Sequence, residues 1–387
     1  MRISHLHVSN WRNFKEVDVD LRGRLFVVGP NAAGKSNLLD VFRFMGEVAA
    51  PGGGLAKAVT DRGGVSKVRS LFARNHAHGQ VVLEFTFDDE GAVWQYRLAI
   101  GSQERGRHLP VVHEERVTKD GVVLLQRPDR HDHEDPQLLT QTHLEQISAN
   151  RAFRPIADHF AKIVYFHPVP QLMRSGGLRA EASTSFGADL IAEINGVTPQ
   201  TRTAWLKRIQ KALAVAVPEF ETLAVSVDAA GRPHLEAGFR NWRKTATTQT
   251  EREFSDGTLR LIGLLWSVVS LPSGGGLLLL EEPELSLNTM IVRQLPAIIG
   301  MAQRDRGAQV FLSTHAPELL DDEGVAPDEV LVLQVTSDGT QACLLSDIPE
   351  VAGDIAAELP LSDSVNSLIA PSSLDRMSDL VTVGRRS

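Results

Sequence analysis

The segment that decides the fold is Gly29-Pro30-Asn31-Ala32-Ala33-Gly34-Lys35-Ser36, which fits the pattern G-x-x-x-x-G-K-S/T. It follows the apolar run Leu25–Val28, which predicts a strand. It leads into Lys35–Met45, where apolar residues recur at the i, i+3, i+4 and i+7 spacing of a helix. Backbone N–H groups of such a turn curl around a phosphate, and the helix N-terminus adds partial positive charge. The strand, turn and helix together predict a phosphate-binding loop.

The residue types in this loop predict separate tasks. The amine of Lys35 is placed to reach the β- and γ-phosphates of a nucleoside triphosphate, and the hydroxyl of Ser36 is placed to ligate Mg²⁺. A chance glycine-rich turn is the alternative, but it need not combine a strand, a helix, a lysine and a serine in this order. The predicted nucleotide-binding residues of the loop are Asn31, Ala32, Ala33, Gly34, Lys35, Ser36 and Asn37.

The composition is that of an ordinary globular protein. Of 387 residues, 42% are hydrophobic and 23% are charged, which excludes disordered, collagen-like and coiled-coil-dominated proteins. One cysteine, Cys343, cannot close an intramolecular disulfide. The N-terminus has no apolar secretion segment, and the apolar stretches are shorter than the roughly 20 residues that span a bilayer, so we expect a soluble cytoplasmic protein. A net charge of −8 argues against a generally basic nucleic-acid binder but allows a local basic groove.

Hydrophobic periodicity predicts an α/β protein with a mixed sheet. Strand-like runs dominate up to about residue 125, residues 138–250 are mainly helical with a strand-like stretch at Lys162–Phe166, and helices and strands alternate after residue 251. We therefore expect an antiparallel β subdomain, an inserted helical lobe and a parallel sheet layer. The predicted divisions are an N-terminal core part (1–137), a helical arm (138–250), a C-terminal core part (251–370) and a flexible tail (371–387).

Several local elements are specific enough to compare with a structure. Predicted strands are Ile3–Val8, Val17–Leu21, Leu25–Val28, Val81–Phe87, Val93–Ile100, Val111–Val117, Val122–Leu125, Thr222–Val227, His234–Phe239, Leu277–Leu280, Gln309–Ser313 and Val330–Val335. Predicted helices after the first are Thr203–Val217, Thr258–Leu271 and Thr289–Met301. The segment His131–Pro136 is expected to be a polar loop.

A second candidate site follows the apolar run Leu277–Leu280, which leads into Glu281-Glu282-Pro283-Glu284. A strand that is apolar on both faces can present a carboxylate at its C-terminal end, where α/β sheets keep their ligand sites. Adjacent strand residues point to opposite sides, so the two glutamates can have different tasks. We assign Glu281 to Mg²⁺ and Glu282 to the hydrolytic water as general base. A solvated acidic loop is the alternative, which the phosphate-binding loop disfavours.

Two further segments place polar residues where a nucleotide can be sensed. The apolar run Phe311–Leu312 leads to His315, which is placed to stabilise a γ-phosphate by a hydrogen bond. A lone histidine is more often structural, but the two preceding motifs favour a functional role. The segment Ser255-Asp256-Gly257 precedes the apolar helix Thr258–Leu271. It either caps that helix or binds a second phosphate group at the helix N-terminus, and the sequence leaves both open.

In chain order, these segments resemble the motifs of ABC-type ATPases. The correspondences are to Walker A (Gly29–Ser36), the signature motif (Ser255–Thr258), Walker B with its catalytic glutamate (Leu277–Glu282), the D-loop (Glu284–Asn288) and the switch histidine (His315). The resemblance implies a P-loop NTPase fold of the ABC type that uses ATP and Mg²⁺. It also implies that Lys35, Glu282 and His315 are catalytic, and that Ser255, Asp256 and Gly257 contact nucleotide.

The opening Asn10-Trp11-Arg12-Asn13-Phe14 resembles the N-F-R-x-F segment of RecF, SMC and OLD-type ATPases, where the arginine lies near the nucleotide phosphates. Arg12 is therefore a candidate nucleotide contact. Ser255–Arg260 and His315–Leu320 are similar to the corresponding runs of RecF-like predicted ATPases of the AAA type.

The sequence departs from these families at four points. Glu281 stands where many ABC ATPases have aspartate, and Asn288 stands where relatives often place histidine or aspartate. RecF itself lacks the histidine corresponding to His315, which favours a RecF-like relative. A Q-loop glutamine, which would help to hold the metal, is not obvious, and Gln171 is the best candidate.

The spacing of the motifs excludes some members of the group. The interval between Ser36 and Glu281 contains no heptad run, so the long coiled coil of SMC proteins is not expected. Transporter ATPases place these motifs much closer together and couple to membrane partners. The chain after His315 is too short for the C-terminal nuclease domain of OLD proteins, so we expect no nuclease site.

The resemblance implies an ATP-dependent homodimer, in which Ser255–Gly257 of one subunit completes the site of the other and hydrolysis at Glu282 releases the two. It also implies work on DNA, in repair or in defence against phage DNA. The alternative is a slow nucleotide-dependent switch or scaffold that controls a separate effector protein, such as a nuclease or toxin.

Two basic clusters are the residue evidence for DNA. They are Arg62, Lys67, Arg69 and Arg74, and Arg202, Lys207, Arg208 and Lys211. Either cluster can contact phosphates, although a charge run on a helix is more often a solvated face.

Overall fold

The computed structural model describes residues 1–70, 79–103, 109–175, 187–240, 247–272 and 274–370. The predicted tail and Arg74 lie outside the described residues. The strands are β1 Arg2–Trp11, β2 Phe14–Asp20, β3 Arg24–Val28, β4 Val81–Asp89, β5 Ala92–Ser102, β6 Pro110–Lys119, β7 Val122–Arg127, β8 Val164–Phe166, β9 Phe220–Val227, β10 Pro233–Phe239, β11 Thr247–Thr250, β12 Leu277–Glu281, β13 Gln309–Ser313, β14 Val330–Thr336 and β15 Gly339–Leu344.

Helices of very different length connect these strands. The α-helices are α1 Lys35–Ala49, α2 Leu55–Asp61, α3 Val65–Val68, α4 Arg130–Glu134, α5 Arg154–Ala161, α6 Pro170–Ser175, α7 Leu190–Gly196, α8 Pro199–Ala216, α9 Asp256–Val269, α10 Thr289–Val292, α11 Leu295–Arg306, α12 Ala352–Ala356 and α13 Leu361–Ile369. Short 3₁₀ turns cover Pro136–Thr140, Asn150–Phe153, Pro317–Asp321, Pro327–Glu329, Leu345–Asp347 and Pro349–Val351.

Most of the strands form one mixed sheet. Twelve strands pair in the order β7-β6-β5-β4-β1-β2-β15-β14-β3-β13-β12-β8, and β11-β10-β9 form a separate antiparallel sheet. The predicted antiparallel meander is confirmed, because β4, β5, β6 and β7 pair with their chain neighbours in antiparallel fashion. The predicted parallel layer is also confirmed, since β14, β3, β13, β12 and β8 run parallel.

The parallel layer brings the motifs together. The carboxyl ends of β3, β12 and β13 lie at the same edge of the sheet, where α/β proteins keep their ligand sites. In the observed register, Glu281 pairs with Ser313, and Ser313 pairs with Val27. The residues that follow these strands therefore start side by side.

Strand β12 is buried on both faces. Leu277 and Leu279 pack in the core on the α1 side of the sheet, whereas Leu278 and Leu280 pack on the opposite side with residues of α9 and α11. All four leucines are fully shielded from solvent. A strand with two apolar faces is typical of a parallel sheet covered by helices. This burial fixes the position of the carboxylates at its end.

The segment 138–250 contributes to two cores. Helix α5 packs against α1, and β8 pairs with β12 in the large sheet. Helices α7 and α8 and the small sheet instead pack with α9, in a core that includes Ile194, Leu213 and Leu235. The strand pair β9–β10 matches the predicted pair, and α8 begins four residues before its predicted start. The division of the chain into domains stays a prediction.

Two local predictions were wrong. The expected polar loop His131–Pro136 is mostly helix α4, because Asp129 and Asp132 form a reciprocal capping box and Asp132 is held by buried Arg127. The expected helix Thr289–Met301 is two helices, α10 and α11, with Pro296 in the first turn of α11. Proline lacks the N–H that a helix interior needs but is tolerated in a first turn, so the helix restarts there.

The double burial of β12 predicts a large loss of stability when one of its leucines is truncated. Leu279→Ala should lower the free energy of unfolding by about 2–5 kcal/mol, because it removes buried methyl groups and leaves a cavity. The control Val335→Ala truncates a side chain that is 61% exposed and should change stability by less than about 0.5 kcal/mol. Urea unfolding of both variants checks this, and equal losses would contradict the assignment of β12 to the core.

Candidate functional site

The loop between β3 and α1 has the geometry that an anion-binding turn needs. Gly34 stands at the N-cap of α1 with φ 97°, a conformation that L side chains rarely adopt. A Cβ atom there would lie 2.2 Å from Asn13 Nδ2, so only glycine fits. Asn13 Nδ2 donates to the carbonyl of Ala33 at 2.8 Å, and Asn37 Nδ2 donates to Asn13 Oδ1 at 2.7 Å. Asn13 thus holds the loop from outside. It was not among the predicted site residues.

Lys35 lies at the centre of the site. Its Nζ donates to the carbonyls of Gly29 at 2.8 Å and Pro30 at 3.2 Å, and it lies 3.4 Å from His315 Nδ1. Burial lowers the pKa of Lys35, and the charges of nearby glutamates, first Glu282, oppose that shift. The amine is therefore folded back over the loop, with its charge supported by the carboxylates at the end of β12.

The side chains of Ser36 and Glu281 are in direct contact, and the magnesium assignment of both residues stays a prediction. The hydroxyl of Ser36 donates to Glu281 Oε1, and the hydroxyl of Tyr165 donates to Glu281 Oε2. Burial, followed by the charge of Glu281, raises the pKa of Tyr165. Tyr165 was missed by sequence reasoning, although it lies in the strand-like stretch that is now β8. Arg43 stacks on its ring, 4.9 Å from the centroid.

Glu282 and His315 form the next pair. The Nε2 of His315 lies 3.2 Å from Glu282 Oε1, and the backbone N–H of Glu282 donates to the Ser313 carbonyl at 3.0 Å. The ammonium of Lys35 can only donate, so Nδ1 of His315 must accept and Nε2 must carry the proton that goes to Glu282. Burial, and then the charge of Lys35, lowers the pKa of His315, which keeps the ring neutral in this arrangement.

Glu284 fixes the backbone that carries His315. Its Oε1 accepts from Thr314 Oγ1 and from the N–H of His315, both at 2.8 Å. The residue is only 6% exposed, and burial raises its pKa. Sequence reasoning assigned Glu284 only to the D-loop and did not predict this contact. The contact joins the ends of β12 and β13.

The segment Ser255–Gly257 caps helix α9. The hydroxyl of Ser255 accepts from the N–H of Thr258 at 3.1 Å, so the capping role left open by the sequence is present. Arg174 of α6 donates to Asp256 Oδ1 at 2.5 Å. A Cβ on Gly257 would lie 2.6 Å from the Ser286 carbonyl, so the first turn of α9 packs against the loop that follows β12. A phosphate contact by this segment stays a prediction.

The sequence matches the family described as "AAA domain, putative AbiEii toxin, Type IV TA system" over residues 25–321. The chain belongs to this family. The match contains the phosphate loop, both carboxylates of β12 and His315, although Asn13 precedes it. No match was found among curated proteins.

The AAA-family chain has the fold of a solved SMC head domain. A solved SMC head bound to the C-winged helix domain of ScpA superposes with a TM-score of 0.53 at 15% identity, covering 89% of this chain and 98% of that chain. An SMC head domain from Thermotoga maritima gives a TM-score of 0.47 at 12% identity over 89% of this chain and 99% of that one. An SMC head domain with an extended coiled coil, bound to the C-terminal domain of ScpA and derived from Pyrococcus furiosus, gives a TM-score of 0.49 at 14% identity. That match covers 92% of this chain and 99% of that chain.

Two further site predictions of this AAA-family chain concern Arg12 and Gln171. The guanidinium of Arg12 donates to Asp40 Oδ2 at 2.6 Å, so it binds a carboxylate of α1 in this structure. Its Nε is shielded from solvent and has no hydrogen-bond partner among the described residues. Gln171 is exposed in the first turn of α6, on the chain that leaves β8 at the same sheet edge as Glu281. Contacts of Arg12 with nucleotide and of Gln171 with metal stay predictions.

The donor set of this AAA-family site fits Mg²⁺ shared with a nucleotide. No group of three or more histidine, cysteine or acidic residues that could hold a metal occurs in the described part of the chain. Mg²⁺ is usually held by one or two protein ligands together with substrate phosphates, and Ser36 and Glu281 supply such a pair. Among the described helices, none has the length and apolar content needed to cross a membrane.

The burial of Glu284 predicts a pH-dependent stability difference. The pKa of Glu284 in the folded chain is raised above the ordinary value of 4.5. Between 4.5 and that raised pKa, the folded chain keeps a proton that the unfolded chain has lost, so the free energy of unfolding falls as the pH rises through this range. Glu284→Gln keeps the acceptor oxygen without the charge. It should be more stable than the wild type near neutral pH, and this advantage should shrink as the pH falls toward 4.5. Thermal unfolding across this pH range measures it.

The exposed control Glu323→Gln should show no comparable trend with pH. A difference between Glu284→Gln and the wild type that is constant across pH would show that burial of the ionised form is not the cause.

Proposed function

We propose that this AAA-family chain binds MgATP at Gly29–Ser36 and hydrolyses it, with Glu282 as the general base. The observation that supports the proposal is a set of three side-chain contacts at one edge of the sheet. Lys35 contacts His315, His315 contacts Glu282, and Ser36 contacts Glu281. These contacts join residues from β12, β13 and the start of α1, which are remote in the sequence.

Each of these side chains has a defined task in the proposed reaction. Lys35 would turn from the carbonyls of Gly29 and Pro30 to the phosphates and stabilise their negative charge. Ser36 and Glu281 would hold Mg²⁺, which supplies charge neutralisation at the β- and γ-oxygens when bound. Glu282 would accept the proton of the attacking water, and His315 would orient Glu282 through its Nε2 proton.

We also propose that two copies of the chain enclose the nucleotide. The resemblance of Ser255–Thr258 to the ABC signature motif is the reason, because that motif completes the site of a second subunit. In this chain the first turn of α9 packs against its own 284–288 loop. The N-terminus of α9 would then face a second copy, where its partial positive charge suits a phosphate. Hydrolysis at Glu282 would release the two subunits.

Two substitutions separate nucleotide binding from turnover. Lys35→Ala should abolish both, because it removes the cation of the loop. Glu282→Gln keeps the shape of the side chain and loses the base, so it should bind MgATP, accumulate as a dimer and lower the rate at least about 100-fold. Phosphate release assays and gel filtration with MgATP measure the two effects. A Glu282→Gln variant that is only monomeric with MgATP would contradict the dimer, and one with full turnover would contradict the role of Glu282.

DNA is the proposed object of the ATP cycle, and the structure changes which residues can contact it. Arg62, a member of the first basic cluster, is not available to contact phosphates in this structure, because its guanidinium is buried against Asp40 and Glu47. Burial disfavours the charge of Arg62, but the hydrogen bonds and charges of Asp40 and Glu47 outweigh it and raise the pKa of Arg62. Helix α8 instead presents Lys207, Arg208 and Lys211 as exposed side chains.

The charge distribution supports α8 as the DNA contact. Residues 307–370 contain twelve acidic residues and neither lysine nor arginine, so that part of the surface repels phosphates. The remaining chain therefore carries a positive balance, although the whole protein has a net charge of −8. Attraction of DNA phosphates to the basic side chains of α8 is compatible with the positive net charge of the chain outside residues 307–370.

Reversing the α8 charges tests the DNA proposal. The variant Lys207→Glu/Arg208→Glu/Lys211→Glu should weaken duplex and single-stranded DNA binding and reduce the salt slope of log K by about 2–3. Arg130→Glu, whose parent side chain is 88% exposed in α4, is the matched control. Fluorescence anisotropy at several salt concentrations, with ATP hydrolysis measured with and without DNA, checks both points. Salt-insensitive or absent DNA binding by the wild type would contradict the proposal.

The alternative is a slow nucleotide-dependent switch that controls a separate effector protein, such as a nuclease or toxin. The family description names a "putative AbiEii toxin" of a toxin–antitoxin system, which is a role other than DNA repair, although it gives that name to the domain itself and not to a separate effector. Negligible turnover with or without DNA, together with a stable complex with an effector, would support it over repair or phage defence.

A further inference from the structure

Arg260 is a charged residue of α9 that the proposed mechanism does not use. Its Nε and Nη1 are shielded from solvent, and neither has a hydrogen-bond partner among the described residues. A guanidinium carries five N–H donors and is normally satisfied when it is removed from water. Burial lowers the pKa of Arg260, while the charges of Asp256, Glu282 and Glu284 oppose that shift. Arg260 lies on α9, whose first turn packs against the loop that carries Glu282 and Glu284.

The position of Arg260 on α9 directs it toward the loop after β12. Gly257 and Arg260 are three residues apart, so they share one face of the helix. Gly257 packs against the carbonyl of Ser286, because a Cβ atom on Gly257 would lie 2.6 Å from the carbonyl oxygen. The helix that begins with the signature segment is thus in contact with the loop that carries Glu282 and Glu284.

Two of the three carboxylates near Arg260 already have partners. Asp256 accepts from Arg174 at 2.5 Å, and Glu282 pairs with His315 at 3.2 Å. Glu284 differs, because its Oε1 accepts from Thr314 and His315 but its Oε2 is shielded from solvent without a partner in the described part of the chain. A buried donor and a buried acceptor of opposite charge, both unsatisfied, thus stand on facing elements.

We propose that Arg260 is a positioning residue whose side chain turns to donate to Glu284 Oε2 in the MgATP-bound protein. This inference rests on the proposed function. The contact would connect the signature segment to Glu284, Glu284 to the backbone of His315, and His315 to Glu282. A nucleotide contact made by α9 with a second copy would then act on the general base of its own chain, which couples the two ATP sites of the dimer.

A double-mutant cycle tests the contact. Arg260→Met keeps much of the side-chain volume without the charge, and Glu284→Gln keeps the shape of the carboxylate. Each single variant should lower kcat about tenfold or more with KM changed less than about twofold, and the double variant should be no slower than the slower single variant. Arg260→Lys should regain part of the loss. Arg304→Gln, an exposed arginine of α11, is the matched control and should behave like the wild type.

A second readout does not depend on turnover. In the Glu282→Gln background, we measure the rise in thermal midpoint on adding MgATP for the same four combinations at positions 260 and 284. Both single variants should reduce the rise, and the double variant should reduce it no further. The inference would be overturned if the effects of the two single variants added in the MgATP-induced rise of the thermal midpoint or multiplied in kcat. It would also be overturned if Arg260→Met changed neither kcat nor that rise. If the wild type itself shows neither ATP hydrolysis nor a rise in thermal midpoint with MgATP, the proposed function fails. If the wild type shows both and only the coupling between positions 260 and 284 is missing, the Arg260 inference alone fails.

Discussion

The parallel pairing of β3, β13 and β12 is the constraint on which the rest of the structure depends. The register sets Val27 beside Ser313 and Ser313 beside Glu281. Because each strand ends at the same edge, a glycine-rich loop, a histidine and two glutamates emerge within reach of one another. The leucines of β12 are buried on both faces of the sheet, which fixes the point at which the two glutamates emerge.

The charged side chains of the site are held by hydrogen bonds within the chain. Lys35, Glu281 and Glu284 are buried charged residues, and each is held by hydrogen bonds to the loop, to Ser36 and Tyr165, or to Thr314 and His315. Burying charge is costly unless it is paired, so this network is maintained by its own mutual contacts. The carboxylate of Glu281 bridges the hydroxyls of Ser36 and Tyr165. Preorganisation of this kind favours electrostatic stabilisation of a reacting phosphate.

What could be predicted from the sequence follows from the range of the interactions involved. The loop, α1 and β12 were predictable because glycine spacing, helical periodicity and an apolar run are local signals. Asn13, Tyr165 and Glu284 were not, because their roles depend on contacts with Ala33, Glu281 and His315 that only the folded chain creates. The same reason explains Arg62, whose basic character is visible in the sequence but whose partner Asp40 is not.

We propose that Ser36 and Glu281 hold Mg²⁺ only together with bound ATP. Calorimetric titration of the purified chain with ATP, with and without Mg²⁺, decides whether they do. We expect one site per chain whose affinity for ATP rises when Mg²⁺ is present, and we expect Ser36→Ala to lose this magnesium-dependent gain while keeping the magnesium-free affinity. Equal affinity with and without the metal, or no binding of ATP at all, would show that the two residues do not form this site.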